Sequence, residues 1–162
     1  MVQLDGFIVS PAAFTEKFLE YDYVGAPWRS TRKRPLESGY QVGNGGFSLR
    51  SRKFLKAAAE LRWHKEWQHI DVPTKYYGNE DYFLCVVMHD ELVQKGVRFA
   101  PISVAQRFSI QAGDQFARNH SLSTTFGFHG KKWAARAKRA AKRHGLDYPH
   151  VDEMKLPWWQ RL

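Results

Sequence analysis

Four short clusters contain the residue types with which this sequence could perform chemistry. Two of them carry carboxylates, one carries a histidine, and one is rich in glycine. Carboxylate oxygens and imidazole nitrogens can hold a divalent cation, and an ionised carboxylate can also take a proton from a hydroxyl group. The clusters occupy residues 3–6, 43–46, 80–81 and 126–130.

Asp5 and His129 are candidate ligands for a divalent cation. Asp5 is followed by Gly6 at a predicted strand, and ligands of α/β proteins commonly bind at the carboxyl edge of the sheet. His129 follows a second predicted strand, where a neutral imidazole would complete a site with the carboxylate. Two structural interpretations stay open: a turn made by the Asp-Gly pair, and a buried, hydrogen-bonded histidine.

Gly45 and Gly46 follow Asn44 and remove side chains from a point where the backbone comes close to another group. That group is either another chain segment, as in a tight turn, or a flat ligand such as a hexose. The spacing matches neither the GxGxxG fingerprint nor a Walker loop, so the cluster does not predict phosphate binding.

Glu80 and Asp81 follow Asn79, which is a predicted helix N-cap. Carboxylates in the first turn interact favourably with the helix dipole, by about 0.3–1 kcal/mol, and this alone would explain the pair. The same dipole keeps a carboxylate ionised. A general base that takes a proton from a sugar hydroxyl must be ionised in this way.

Alternating strands and helices must position these clusters. Ser51 is predicted to cap a helix, and the helix that begins after Asn79 is predicted to end at Gly96. The alternation predicts an α/β fold with a mixed sheet flanked by helices. The predicted strands cover residues 2–9, 47–49, 97–100 and 125–128, and the other predicted helices cover residues 11–19 and 131–144.

The length of 162 residues is enough for one domain with its own hydrophobic core. We assign residues 1–145 to that domain and residues 146–162 to a C-terminal tail. Cys85 is the single cysteine, so the chain can form no internal disulfide, as is typical of a reducing compartment. The longest apolar run, residues 82–88, is far shorter than the ~20 residues that span a bilayer. These features predict a cytoplasmic protein.

The net charge of +9 is concentrated in one segment, since residues 131–143 hold seven of the 25 basic residues and none of the 16 acidic ones. On a helix these residues form one basic stripe and one apolar stripe. The basic stripe is either solvated or faces an anionic membrane surface, a phospholipid-linked acceptor or RNA. Nucleic acid ranks last because no known reader motif is present. The basic stripe contains Lys132, Arg136, Arg139 and Arg143, and the apolar stripe contains Trp133, Ala137 and Ala140.

Six segments match, in order, a bacterial family of proteins regarded as glycosyltransferases. The chain resembles this family, which carries the domain-of-unknown-function label DUF5672 and is similar to the larger GT-A glycosyltransferase class. The resemblance covers residues 2–130, nearly the whole chain. The segments are QLDGFIV, FLEYDYVGAPW, VGNGGFSLRSRKFL, NEDYFLC, FAP with AQRFS, and FGFHG.

The resemblance implies a divalent metal, usually Mn²⁺, that bridges the donor diphosphate. Asp5 and His129 occupy the places of its protein ligands, while Gln3 stands where many members of the wider class have a further acid. The resemblance also places the donor sugar against four residues. These are Trp28, Asn44, Gly45 and Gly46.

The acidic pair matches the position from which inverting members of the class draw their base. We assign the base to Asp81 and the binding of the acceptor to Glu80. The predicted function is therefore transfer of a sugar from a nucleotide-sugar donor to a hydroxyl of a glycan or lipid-linked acceptor. The rival interpretations are a non-catalytic remnant or binding module, and a basic nucleic-acid-binding protein.

GT-A enzymes build the nucleotide pocket from a Rossmann-like half that precedes the first metal-binding strand, whereas this sequence begins at that strand. We therefore expect a fold that lacks most of the nucleotide-binding half. Either the chain is a fragment, or it is a reduced protein, and the sequence does not separate these alternatives.

We expect the 162-residue chain by itself to bind nucleotide sugars weakly, because the resemblance assigns the base and ribose pocket to the missing half. Metal and donor affinity should rise together, since hard cations take further ligands from phosphates. Calorimetric titration with UDP-sugars, with and without Mn²⁺, measures both, and a chain extended upstream is the control. Micromolar binding by the short chain would contradict the prediction.

Overall fold

Five short strands form two small sheets in the computed structural model, which describes residues 1–28, 42–61, 78–111, 122, 124–130 and 134–150. The larger sheet has the order β1-β5-β4, with β1 antiparallel and β4 parallel to β5. In the smaller sheet β2 pairs antiparallel with β3. The predicted α/β class with a mixed sheet is confirmed. The strands are β1 (Gly6–Ile8), β2 (Tyr23–Gly25), β3 (Ser48–Arg50), β4 (Ser109–Gln111) and β5 (Gly127–His129).

Five α-helices, two 3-10 helices and one π-helix connect or cover these strands within the described residues. The helix that carries the acidic pair is only three residues long and continues directly into the π-helix. The α-helices are α1 (Arg52–Ala59), α2 (Glu80–Tyr82), α3 (His89–Gln94), α4 (Ile102–Phe108) and α5 (Ala134–Lys142). The 3-10 helices are Pro11–Ala13 and Glu16–Glu20, and the π-helix is Phe83–Val87.

The N-terminal elements are shorter than predicted. The amide of Gly6 donates to the carbonyl of Gln3 over 2.9 Å, and this turn confines the strand predicted over residues 2–9 to β1. The helix predicted over residues 11–19 is two 3-10 helices, because Phe14 and Thr15 have extended backbones between them. The predicted strand over residues 97–100 is reduced to one bridge between Tyr23 and Phe99.

The helix α4 and the strand β4 were not predicted. The helix α4 follows Pro101, which is the residue before its first turn, and the strand β4 follows α4 without a break. The strand β4 pairs with β5 and so completes the sheet that carries His129. The alternation of polar and apolar residues in β4 is too short for the sequence to distinguish a strand from the end of a helix.

The helix predicted after Ser51 is confirmed. The Ser51 hydroxyl accepts the amide of Phe54 over 3.0 Å, and Phe54, Ala58 and Leu61 are buried as the pattern predicted. The segment after Asn79 also buries its predicted apolar face, and Gly96 ends it with φ +80°. Asn79 occupies the N-cap position without a side-chain capping bond.

The amphipathic helix near the C-terminus is confirmed as α5. Ala134, Ala137 and Ala141 are buried, whereas Arg136 and Arg139 are exposed. Lys132 and Trp133 lie outside the described residues. Beyond the predicted domain boundary at residue 145, which stays a prediction, Tyr148 packs on Phe7 with ring centroids 4.7 Å apart. Every helix in the described part of the chain is too short or too polar to cross a membrane.

Asp22 is a buried carboxylate that ties β2 to α1 and to residue 98. It accepts hydrogen bonds from the Ser51 hydroxyl over 2.6 Å and from the Arg98 amide over 2.9 Å, and Lys53 Nζ lies 2.8 Å away. Burial would raise the pKa of Asp22, but these hydrogen bonds and the Lys53 charge outweigh burial and hold the pKa below its ordinary value. The ionised form is therefore the one that the fold stabilises.

We expect the protein to lose stability as the pH falls below about 4, because the lowered pKa of Asp22 contributes stability only while the carboxylate is ionised. Asp22→Asn should lower the free energy of unfolding by ~1–3 kcal/mol at pH 7 and weaken its dependence on acid pH. Urea unfolding at pH 7 and pH 3 measures both. The exposed Glu60→Gln is the control, and an equal loss in both variants would show that Asp22 has no special role.

Candidate functional site

Gly45 and Gly46 lie at the centre of the residues that the sequence singled out. Asn44, which is 3% exposed, shapes this turn because its Oδ1 accepts the Gly46 amide over 3.2 Å. The backbone amide of Asn44 donates to Ala26 over 3.2 Å and so fixes the turn to the end of β2. Asn44 therefore stabilises the backbone conformation of the turn.

The acidic pair lies on one side of the turn, beside Gly45. The Gly45 amide donates to Asp81 Oδ2 over 3.0 Å, and the Tyr82 amide donates to Asp81 Oδ1 over 2.8 Å. A Cβ atom on Gly45 would lie 2.6 Å from Glu80 Oε1 and 3.0 Å from Asp81 Cβ. Contacts this short are absent or rare for real Cβ atoms, so glycine lets the turn approach both carboxylates without displacing them.

His129 lies on the other side of the turn, beside Gly46. A Cβ atom on Gly46 would overlap the imidazole ring. The Gly46 carbonyl accepts the Gln3 amide over 2.8 Å, which brings the first residues of the chain to the same place. His129 therefore borders Gly46, and the acidic pair borders the adjacent Gly45.

Asp5 and Gln3 both reach His129. The Nε2 atom of His129 lies 3.2 Å from Asp5 Oδ1 and 3.1 Å from Gln3 Oε1. The register between β1 and β5, in which Gly6 pairs with His129, places Asp5 beside the histidine. The side chains of His129 and Asp5 are 12% and 16% exposed, so the pair is reachable from solvent but mostly enclosed.

The donor atoms around His129 fit part of a divalent-cation site. One imidazole nitrogen, one carboxylate oxygen and one amide oxygen converge, and cations such as Mn²⁺ accept this mixture. Among the described residues there is no group of three or more His, Cys, Asp or Glu side chains that could hold a metal. A cation here would therefore take further ligands from a bound phosphate. The other ring nitrogen of His129, Nδ1, is buried and has no hydrogen-bond partner among the described residues. The contacts of Nε2 are therefore the ones that would orient the ring toward a cation.

A groove of about 920 Å³ opens beside Asp5. Its volume lies within the range of small-molecule sites in proteins. It is lined by residues 2–8, Phe47, Tyr148 and His150. Asp5 and Gln3, which contact His129, therefore border a space that can hold a ligand.

Arg50 is a site residue that the sequence interpretation missed. Its Nη2 lies 2.8 Å from Glu80 Oε1, and its side chain is 7% exposed. Burial would lower the pKa of Arg50, but Tyr23 and the ion pair with Glu80 raise it above its ordinary value, so the guanidinium stays charged. One arginine in a short strand carries no signal in the sequence, because its partner lies 30 positions away.

Trp28 lies beneath the glycine segment. It is 2% exposed, its ring occupies the space where a Cβ atom of Gly43 would be, and its centroid lies 6.3 Å from that of Tyr82. Burial raises the pKa of the Tyr23 hydroxyl, which stays protonated and donates to the Gly43 carbonyl over 2.8 Å. Trp28 and Tyr23 thus support Gly43 from the core, and a direct contact of Trp28 with a donor stays a prediction.

The fold therefore brings seven of the eight predicted site residues to one turn and its two flanks, with Trp28 below. Their roles in binding and catalysis stay predictions. The seven are Asp5, Asn44, Gly45, Gly46, Glu80, Asp81 and His129.

The molecule is thus an α/β protein whose candidate site is built around a two-glycine turn. The chain belongs to the family described as "Protein of unknown function (DUF5672)", which it matches over residues 1–129. That match covers every predicted site residue and confirms the DUF5672 resemblance. No curated protein and no solved structure matches the chain.

We expect Gly46→Ala to displace the His129 ring, because the added Cβ would overlap it. The cost of such overpacking is ~1–3 kcal/mol of stability. Urea unfolding gives the stability, and the NMR shifts of the His129 ring protons report the displacement. In the control Gly96→Ala the Cβ meets open space at φ +80°, so backbone strain should lower stability without moving those shifts. Unchanged His129 shifts in Gly46→Ala would contradict the geometry.

Proposed function

We propose that this protein transfers a sugar from a nucleotide-sugar donor to a hydroxyl group of a glycan or lipid-linked acceptor. The observation that carries the proposal is the convergence of two chemically different groups on one turn. The Asp81 carboxylate contacts Gly45, and the His129–Asp5 pair lies against the adjacent Gly46. Since Gly45 and Gly46 are neighbours in the chain, both groups border the same turn, and the proposal places the donor and the acceptor on its two flanks.

The histidine side of the turn is the donor side of the proposal. Asp5 and His129, with the amide oxygen of Gln3, would hold a divalent cation, for which Mn²⁺ is the first choice. When bound, that cation supplies positive charge to the leaving diphosphate. The proposal places the donor sugar beside the turn, because the space that side chains of Gly45 and Gly46 would fill is already occupied by the acidic pair and by His129.

The acidic side of the turn is the acceptor side. Glu80 Oε1 is occupied by Arg50, so its other oxygen is the one that binds an acceptor hydroxyl. Asp81 is held by two backbone amides and takes the proton as the acceptor oxygen forms its bond to the anomeric carbon. The bond between that carbon and the diphosphate breaks in the same step, and the diphosphate leaves with its electron pair. This direct displacement inverts the anomeric configuration.

The exposed basic face of α5 supports a lipid-linked acceptor at a membrane surface in the cytoplasm. Arg136 and Arg139 on α5 and Arg143 just after it are exposed, while Ala134, Ala137 and Ala141 of the helix are buried. Basic residues near an anionic surface each contribute about 1 kcal/mol to attraction. A peripheral association of this kind would bring the site to an acceptor that cannot leave the bilayer.

We expect Asp81→Asn to lower the turnover of sugar transfer by ~10²- to 10⁴-fold, because an amide cannot take the proton. The amide oxygen can still accept one of the two backbone hydrogen bonds, that from Gly45, so the side chain should stay beside the turn and donor affinity should change little. Release of nucleoside diphosphate and transfer of labelled sugar measure turnover, and calorimetry measures donor binding. The protein should be assayed with panels of nucleotide-sugar donors and hydroxyl acceptors.

Glu60→Gln is the matched control for this substitution, because Glu60 is an exposed carboxylate whose ion pair with Lys95 joins the C-terminal ends of the helices α1 and α3. Its turnover should equal that of the unmodified protein. Turnover of Asp81→Asn near that of the control would remove Asp81 from the mechanism.

A further inference from the structure

We propose that Arg50 is a positioning residue that fixes both carboxylates of the candidate site against the glycine turn. Its effect on catalysis rests on the function proposed above, whereas its effect on the turn is a property of the fold. The inference comes from a closed ring of hydrogen bonds that joins the strand β3, the turn and the helix α2.

The ring has four bonds and closes through the backbone. Arg50 Nη2 donates to Glu80 Oε1 over 2.8 Å, and Arg50 Nε donates to the Ser48 hydroxyl over 3.0 Å. The Ser48 hydroxyl donates to the Gly45 carbonyl over 3.1 Å, and the Gly45 amide donates to Asp81 Oδ2 over 3.0 Å. Since Glu80 and Asp81 are neighbours in the chain, each bond restrains the next.

The environment of Arg50 gives the ring its rigidity. The guanidinium lies over the rings of Tyr23 and Phe54, with its central carbon 5.5 Å and 6.0 Å from their centroids. These aromatic rings restrict its motion on one side, and Glu80 and Ser48 bind it on the other. A buried charge without partners is costly, so the guanidinium keeps both bonds.

The helix α2 cannot position the two carboxylates without such help. It has only three residues, Glu80–Tyr82, and then continues as the π-helix Phe83–Val87, whose bonding pattern differs. A helix this short has few internal hydrogen bonds to fix its first turn. The two adjacent carboxylates also repel each other, and the Arg50 cation offsets this repulsion.

The ring requires arginine rather than any basic residue. A guanidinium is a planar fork that donates in two fixed directions, here toward Glu80 and toward Ser48. A lysine ammonium is a point charge on a flexible stem. Arg50→Lys should therefore keep the ion pair with Glu80 and lose the link through Ser48 to the turn.

The first test measures amide hydrogen exchange at Gly45 by NMR, which needs no activity. Arg50→Gln and Ser48→Ala should each raise the exchange rate of the Gly45 amide by about tenfold, since each opens the ring. The control is Lys95→Gln, which breaks an ion pair of the same 2.8 Å length between exposed partners and should leave Gly45 unchanged.

The outcomes of the exchange test are decisive in either direction. An unchanged Gly45 rate in Arg50→Gln overturns the proposal. If that variant does not fold, Ser48→Ala decides, because it keeps the ion pair and removes only the link to the turn. A double variant combines Arg50→Gln with Glu80→Gln. If its effect on Gly45 exchange is smaller than the sum of the two single effects, the ring is supported. If the effects add, the ring is contradicted.

The second test compares Michaelis constants in the sugar-transfer assay. Arg50→Gln should raise the acceptor KM by about tenfold and leave the donor KM unchanged, because Glu80 binds only the acceptor. Arg50→Lys should restore most of the acceptor affinity. Because the ring also holds Asp81, kcat should fall as well, and an acceptor KM equal to that of the unmodified protein would contradict the positioning role. If the unmodified protein transfers no sugar, the proposed function fails, and the exchange test still decides the ring.

Discussion

The close approach of a side-chain-free backbone to two charged groups is the constraint on which the rest of the site depends. Gly45 contacts the acidic pair and Gly46 contacts His129, and a Cβ atom at either position would clash. Because these two glycines are neighbours, His129 at the last strand and the carboxylates on α2 border the same turn. The surrounding hydrogen bonds serve to hold this turn in one conformation.

The smaller sheet links the stability of the fold to the geometry of the site. In its register Tyr23 pairs with Arg50, so the Asp22 carboxylate and the Arg50 guanidinium lie at the same end of the sheet. Asp22 accepts the Ser51 hydroxyl and anchors α1, while Arg50 turns toward Glu80. The buried charges of Asp22 and Arg50 therefore both form their hydrogen bonds at this short pair of strands. Disturbing either charge should affect the other through the backbone of β3.

Local patterns in the sequence predicted the elements whose signals are local. Ser51 caps α1, Gly96 ends the segment after Asn79, and Ala137 on the predicted apolar stripe of α5 is buried with Ala140 half-buried beside it. The predictions failed where tertiary contacts decide the outcome. The strand over residues 2–9 is cut by the Gln3–Gly6 turn, and β4 exists because β5 offers it a partner. The sugar-transfer function and the metal are not tested by these observations and stay proposals.

The sequence by itself determined the family, the α/β class and the residue types of the site, because motifs, periodicity and capping are properties of neighbouring positions. Only the tertiary structure decided which of those residues meet. Asp81 lies 36 positions from Gly45, and Gln3 lies 126 positions from His129. No periodic pattern connects residues so far apart, and the contacts follow instead from strand register and from core packing. The role of Arg50 was also decided by the tertiary structure, because folding brings this buried cation to the partners that give it a role.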